Sequence, residues 1–329
     1  MKLAAALGVL NVASALAQCE APVPCTDPTL LALQISDCQK HHIFVARGSD
    51  SGYPGHLGVL IEAVCESLED CGYENVVYPA NSSYAGVNAW CESAAIGAKH
   101  AQEQMTSYAE KCPDSKLIVM GYSQGASVVL DTLGGGGGPV FKCVQENNPA
   151  LDRTKVPGSN IVAAIVFGAA VRTAGQSYTA KGRDALKGGQ DFNGTSPRSE
   201  EHLAGLNPYA DILHDYCNFG DPICAHGSEP MDVAQHLNYF KIYTEEAAKW
   251  VVGTVQGRKM TNVQSSAPKS SSVSSKGTPT ATSSSTATSA STPLSAALST
   301  STPESKAVKR WEVFSGVTAV ALGLGAFVF

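Results

Sequence analysis

The sequence predicts an α/β protein: one three-layer domain with a mainly parallel central sheet, followed by a Ser/Thr-rich tail. Three observations carry that reading. Short β-branched runs alternate with longer segments of helical periodicity, the pattern of a parallel sheet covered on both faces. A chain of 329 residues, 43% hydrophobic, suffices for one large core with appendages. The two ends differ sharply in composition from the middle, so the folded domain is expected at residues 36–258.

Residues 1–17 have the build of a signal peptide. Lys2 supplies a positive start, residues 3–16 are mostly apolar, and Ala15-Leu16-Ala17 fits the cleavage rule. A buried N-terminal helix is the alternative. A short extension, 18–35, leads into the domain. There, 42–46, 75–78, 116–120 and 160–167 read as buried strands, and 57–68, 85–111, 126–133 and 233–252 as helices. No internal repeat is present. Five glycines, Gly134 to Gly138, follow the third helix. No Lys-Ser/Thr comes after them to make a phosphate loop, so a flexible helix exit is expected. Residues 259–312 are dominated by Ser, Thr, Ala and Pro and read as a disordered, O-glycosylated stalk. Residues 313–329 form an uncharged apolar tail. Small residues, spacer and tail together have the layout of a GPI-attachment signal, with a short transmembrane anchor as the alternative.

All ten cysteines lie beyond the expected cleavage point, and an even count in a secreted chain reads as disulfides. No Cys-x-x-Cys pair argues for zinc. Sequons at Asn81 and Asn193 are compatible with secretion. The formal net charge is -6 and the basic residues are scattered, which excludes the basic face that nucleic acid requires. No NAD, PLP or metal signature occurs, so no cofactor and no metal are expected, and the chain is expected to be a monomer.

The chemistry centres on Gly121-Tyr122-Ser123-Gln124-Gly125, which lies between an apolar strand and a helix. A sharp turn there forces Ser123 into a strained backbone state with its hydroxyl above the sheet, and the flanking glycines prevent collisions. The helix N-terminus points backbone N–H groups at the site, where they can stabilise an oxyanion. A serine nucleophile needs a base, and the base an orienting acid, in the chain order Ser, Asp/Glu, His. His202, His214, His226 and His236 all follow the serine, as do Asp211, Asp215, Asp221 and Asp232. Spacing alone does not choose among them.

Four segments together resemble the cutinase/acetylxylan esterase family of fungal secreted carboxylesterases: Ile43-Phe-Val-Ala-Arg-Gly-Ser49, Cys112-Pro-Asp with the later Gly121-Tyr-Ser-Gln-Gly125, Cys217-Asn-Phe-Gly-Asp221-Pro-Ile-Cys224, and His236-Leu-Asn-Tyr239. The resemblance implies an α/β-hydrolase domain with Ser123 as nucleophile, Asp221 as acid and His236 as general base. It also implies an oxyanion hole from the backbone N–H groups of Ser49 and Gln124, and a Cys38–Cys112 bridge. A Cys217–Cys224 bridge would pin the loop carrying Asp221. Closing a loop as long as that of Cys38–Cys112 is worth roughly 4 kcal/mol in the chain-entropy model. Partners of the other cysteines stay open, with Cys65–Cys71 and Cys19–Cys25 as local guesses that leave Cys91 and Cys143. Arg47 is expected to be structural.

The expected substrate is an ester on a plant cell-wall polymer, acetylxylan ahead of cutin. Val77-Tyr-Pro-Ala80 and Ser83-Tyr84 are similar to acetylxylan esterases, whereas Ala46-Arg-Gly-Ser49 and His236-Leu-x-Tyr239 are closer to cutinases. The loop 225–232 is mostly polar, which favours small acyl groups. A non-catalytic wall protein, binding carbohydrate or acting in adhesion, is the competing expectation. It shares the signal, stalk and anchor, with the cell wall or outer membrane surface as partner, but has no need of a Ser/Asp/His set.

Overall fold

The computed structural model describes residues 27–180 and 189–257. The expected signal segment, most of the N-terminal extension with Cys19 and Cys25, the stalk and the apolar tail lie outside the described residues.

The strands are β1 (His41–Ala46), β2 (Cys71–Asn75), β3 (Lys116–Tyr122), β4 (Gly135–Val140), β5 (Cys143–Ala150), β6 (Ile161–Phe167) and β7 (Leu213–Tyr216). The helices are α1 (Pro28–Leu33), α2 (Gly58–Cys65), α3 (Ala89–Lys111), α4 (Gln124–Gly134), α5 (Glu200–Leu206), α6 (Val233–Leu237) and α7 (Tyr239–Val255). A five-stranded sheet has the order β2-β1-β3-β6-β7, and every neighbouring pair is parallel. Successive residues of its strands face opposite layers. Phe44 and Val119 enter a cluster with Met105 of α3 and Val128 of α4, while Ile43, Val45, Ile118 and Met120 join Leu60 of α2 and Tyr243 of α7. Both faces are therefore dry, which is why β6 and the centres of β1 and β3 read as apolar runs.

Several elements differ from the sequence expectation. The second strand is β2 at Cys71–Asn75 rather than 75–78, paired with β1 from His41↔Cys71 to Val45↔Asn75. Val76 makes one more bond, from its N–H to the Val45 carbonyl at 2.9 Å, before Pro79 removes the next donor but two. The last helical stretch breaks at Asn238 (φ −100°, ψ 1°), giving α6 and α7. The third strand–helix boundary moves by two residues, so that α4 begins directly after Ser123. The helix at 85–111 starts at Ala89, after a 3-10 turn at Ser83–Ala85.

The glycine run is not a flexible exit. Gly134 ends α4 and Gly135 to Gly138 open β4, antiparallel to β5, and packing demands glycine at two of these positions. A Cβ on Gly136 would lie 2.3 Å from Asp131 Cγ, and one on Gly137, at φ +122°, 2.1 Å from Asn147 Oδ1. Cys91 of α3 is bridged to Cys143 at the start of β5, which fixes this hairpin against the helical layer. The other bridges among the described residues are Cys38–Cys112, Cys65–Cys71 and Cys217–Cys224. Leu30 of α1 is buried in the same cluster as α2, so the end of the N-terminal extension packs on the domain.

Candidate active site

β3 lies in the middle of the sheet and delivers Ser123 at its carboxyl end, the edge at which open parallel sheets carry their sites. Ser123 has φ 55° and ψ −118°, a region that a side chain enters only under strain. Its N–H bonds the Phe167 carbonyl at 2.8 Å and its carbonyl accepts from Ser127 N–H at 3.2 Å, which holds the turn. The two motif glycines make the turn possible. A Cβ on Gly121 would stand 2.4 Å from the Gly125 carbonyl oxygen, and one on Gly125 only 2.0 Å from that of Ala46. Ser123 remains partly open to solvent.

Two other segments converge on it. His236 comes from α6, whose first turn is capped by Asp232 through Oδ1 to the Ala234 N–H at 2.9 Å. Its Nε2 is 2.9 Å from Ser123 Oγ, and its Nδ1 is 2.8 Å from Asp221 Oδ2. With the Nδ1 proton directed at the carboxylate, Nε2 is left to accept from the serine hydroxyl. Asp221 sits in the loop closed by Cys217–Cys224. Its second oxygen, Oδ1, accepts from the Ile223 and Cys224 N–H groups at 2.7 and 3.2 Å. Burial alone would push this carboxyl up. The His236 charge, the bonds from His236 and Tyr239 and the backbone N–H of Ile223 together hold it below the ordinary carboxylate value.

The loop after β1 abuts Ser123. A Cβ on Gly48 would lie 3.5 Å from Ser123 Cβ, so the half-buried Ser49 follows at the edge of the site. Arg47 braces this loop from below, donating to the carbonyls of Ser51 (2.6 Å), Tyr78 (2.9 Å) and Pro79 (3.0 Å). Its guanidinium lies 3.8 Å from the Tyr53 ring centroid. The Gln124 side chain turns away from Ser123. It donates to the carbonyls of Asn81 (2.9 Å) and Trp90 (3.2 Å) and accepts from Ser93 Oγ (3.3 Å). That leaves its backbone N–H, at the first position of α4, as the part that can act on a ligand.

The remaining histidines and aspartates have other occupations. His214 stacks on Trp250 at 4.5 Å, and His226 is exposed. His202 lies in α5, beside a cleft of about 660 Å³ formed with the glycine strand and Ser196–Ser199, near the opposite end of α4 from Ser123. Asp215 pairs with Arg172 at 2.7 Å, Asp232 caps α6 and Asp211 is exposed. Of the two sequons, Asn81 is exposed on the loop against Gln124, whereas exposed Asn193 accepts the Ala174 N–H at 2.8 Å.

Sequence reasoning did not find three residues that support the site. Tyr122 stacks on His236 with centroids 5.3 Å apart and donates to the His236 carbonyl at 2.8 Å. Arg172 donates to the carbonyls of Gly189, Phe192 and Cys224, at 3.1, 2.7 and 3.3 Å. Tyr239 donates to Asp221 Oδ2 at 2.7 Å. Tyr122 and Tyr239 were legible as motif residues but not as partners of His236 and Asp221.

A wholly parallel sheet with helices on both faces and a strained serine at the end of its central strand defines an α/β-hydrolase. Acetylxylan esterase structures match this architecture. One covers 67% of this chain and 100% of its own, with 25% identity and a TM-score of 0.56. Another, solved at 0.90 Å, has 26% identity over the same shares and a TM-score of 0.53. The acetylxylan esterase 2 of Talaromyces purpureogenus is 29% identical over 65% of this chain and 86% of its own. Cutinase 11 of Verticillium dahliae is 26% identical over 67% and 70%. The family model described as Cutinase matches residues 37–255, and the chain belongs to the cutinase family. It is a carboxylic ester hydrolase. Its disulfides and its fungal relatives fit an extracellular protein.

Proposed function

We propose that the protein hydrolyses carboxylic esters through a covalent acyl-enzyme carried by Ser123, with His236 as general base and Asp221 as orienting acid. The observation that carries this reading is the unbroken sequence from Ser123 Oγ to His236 Nε2 (2.9 Å) and from His236 Nδ1 to Asp221 Oδ2 (2.8 Å). His236 takes the hydroxyl proton as Oγ attacks the ester carbonyl, whose electron pair moves onto oxygen. The backbone N–H groups of Gln124 and Ser49 hold that oxyanion. As the intermediate collapses, the imidazolium gives its proton to the leaving alcohol. A water molecule, deprotonated by His236, then attacks the acyl-enzyme and releases the acid, restoring Ser123.

The substrate class is a short acyl ester on a plant cell-wall polymer, acetylated xylan ahead of cutin. The mostly polar loop 225–232 and the acetylxylan esterases among the relatives favour the acetyl ester. Exposed Met231 and Leu237, in the segment that carries His236, offer some apolar surface, which keeps cutin next. The enzyme works outside the cell as a monomer, delivered by the signal segment and tethered through the stalk by a GPI anchor. Rates on acetate, butyrate and palmitate esters test the substrate reading. Acetate or butyrate is expected to be fastest, and a clear preference for palmitate overturns it.

A further inference from the structure

Asp221 is fully buried and receives four hydrogen bonds, two on each oxygen. The N–H groups of Ile223 and Cys224 occupy Oδ1, so that oxygen is fixed by its own loop. Oδ2 is shared between His236 Nδ1 at 2.8 Å and the Tyr239 hydroxyl at 2.7 Å. Tyr239 lies at the first residue of α7, is itself fully buried, and accepts the Asn218 N–H at 3.0 Å. Cys224 Sγ is 3.3 Å from the same hydroxyl, but a disulfide sulfur is a poor acceptor beside a carboxylate oxygen. The hydroxyl proton therefore has one good destination, and it competes with the base for the charge on Oδ2.

We propose that Tyr239 is a positioning residue for the reaction, fixing the Asp221 carboxylate and limiting how strongly that carboxylate holds the His236 imidazolium. The inference rests on the Ser123/His236/Asp221 reading above and names a fourth residue for it. The titratable and charged groups around the pair come from several elements. Tyr122 of β3 stacks on His236, and His56 meets the Tyr122 ring edge-to-face at 5.2 Å. The Arg172–Asp215 pair stands behind the loop through the Cys224 carbonyl. Among these contacts, Tyr239 is the side chain that shares Oδ2 with the base. Burial, the Asp221 charge and the bond to that carboxylate hold the Tyr239 hydroxyl well above the ordinary phenol range, so it stays a donor throughout the working pH range.

The test uses the full chain and a small acetate ester, with kcat and KM measured across pH. Tyr239→Phe leaves more charge on Oδ2 facing the Nδ1 proton, so the imidazole keeps its proton to higher pH. The acid limb of the kcat/KM profile is expected to move upward, with kcat lower by roughly tenfold and KM within about twofold. Replacing Tyr239 with 3-fluorotyrosine keeps ring and hydroxyl but strengthens donation, and it should move the limb in the opposite direction. Tyr209→Phe removes another buried hydroxyl, one bonded to the Leu151 carbonyl at 3.0 Å away from the site, and should leave the profile in place. An unmoved acid limb in both Tyr239 proteins overturns the proposal. If Tyr239→Phe does not fold, the fluorotyrosine protein decides alone. Labelling of the unaltered enzyme by a fluorophosphonate is run alongside. Absence of label at Ser123 overturns the nucleophile reading and this inference with it, whereas label with unmoved profiles overturns this inference alone.

Discussion

Gly125 passes so close to Ala46 that a Cβ on the glycine would sit 2.0 Å from the Ala46 carbonyl oxygen. Helix α4, which starts at Gln124, thus rests directly on the end of β1, and no flexible side chain separates them. Gly125→Ala is expected to push α4 away from β1, with the cost of overpacking a core, about 1–3 kcal/mol or more. Esterase activity should fall by at least about 100-fold, and the melting temperature should fall with it. Calorimetry and an acetate ester assay check both.

Arg172 and Asp215 form an ion pair in which each side chain is 1% exposed. Removing one partner of such a pair leaves an uncompensated buried charge and costs about 3–5 kcal/mol. Arg172→Leu is expected to lose that much in denaturant unfolding. It should also lose activity in the fraction that stays folded, because Arg172 holds the Cys224 carbonyl of the loop bearing Asp221. Arg172→Leu with Asp215→Leu should recover stability but not turnover.

His214 predicts an acid-sensitive window. Burial against Trp250 lowers its pKa from 6.5 to about 4. Between those values the unfolded chain holds the proton and the folded protein does not, so stability falls as pH drops from about 6.5 towards 4 and loses nothing more from this group below that. Asp221 acts lower. Its depressed carboxyl stabilises the fold above the ordinary carboxylate range, and that contribution is lost as pH falls through its folded value. Melting temperatures from pH 4 to 7 should therefore slope upward with pH, and His214→Phe should flatten the slope. Parallel slopes for the two proteins would contradict this assignment.

The strained turn at Ser123 was legible in the sequence because its constraint is local: a strand, two glycines and a helix start within a few residues. Asp221 and His236 were not separable from their neighbours by spacing, and only the resemblance of their segments to a family singled them out. The structure shows why. Asp215 and Asp232 serve an arginine and a helix cap, roles that composition does not distinguish from an acid. Strand β7, Leu213-His-Asp-Tyr216, has too few apolar residues to announce itself and exists through pairing with β6. The glycine run was misread for the same reason: glycine is depleted in strands, and only the partner β5 and the Cys91–Cys143 bridge make β4 a strand. Tyr239 touches Asp221 across 18 positions and a helix break, a contact that helical periodicity cannot predict.

The exposed sequon at Asn81 adjoins the site through its carbonyl, which accepts from Gln124 Nε2 at 2.9 Å. A glycan there would stand at the edge of the opening above Ser123. Asn81→Gln is expected to raise turnover of acetylated xylan by about two- to tenfold in protein made by a glycosylating host, with small-ester rates unchanged. Equal rates on xylan, with the glycan shown to be present on the unaltered enzyme, would remove this role.

The role proposed for Ser123 is tested most directly by the mass of the protein after reaction with a fluorophosphonate, read together with the activity of Ser123→Ala. One adduct, located on Ser123, is expected, with complete loss of esterase activity. Ser123→Ala should fold normally, take no adduct and show no turnover above background. An unlabelled Ser123 in active enzyme, or turnover retained by Ser123→Ala, would contradict that role.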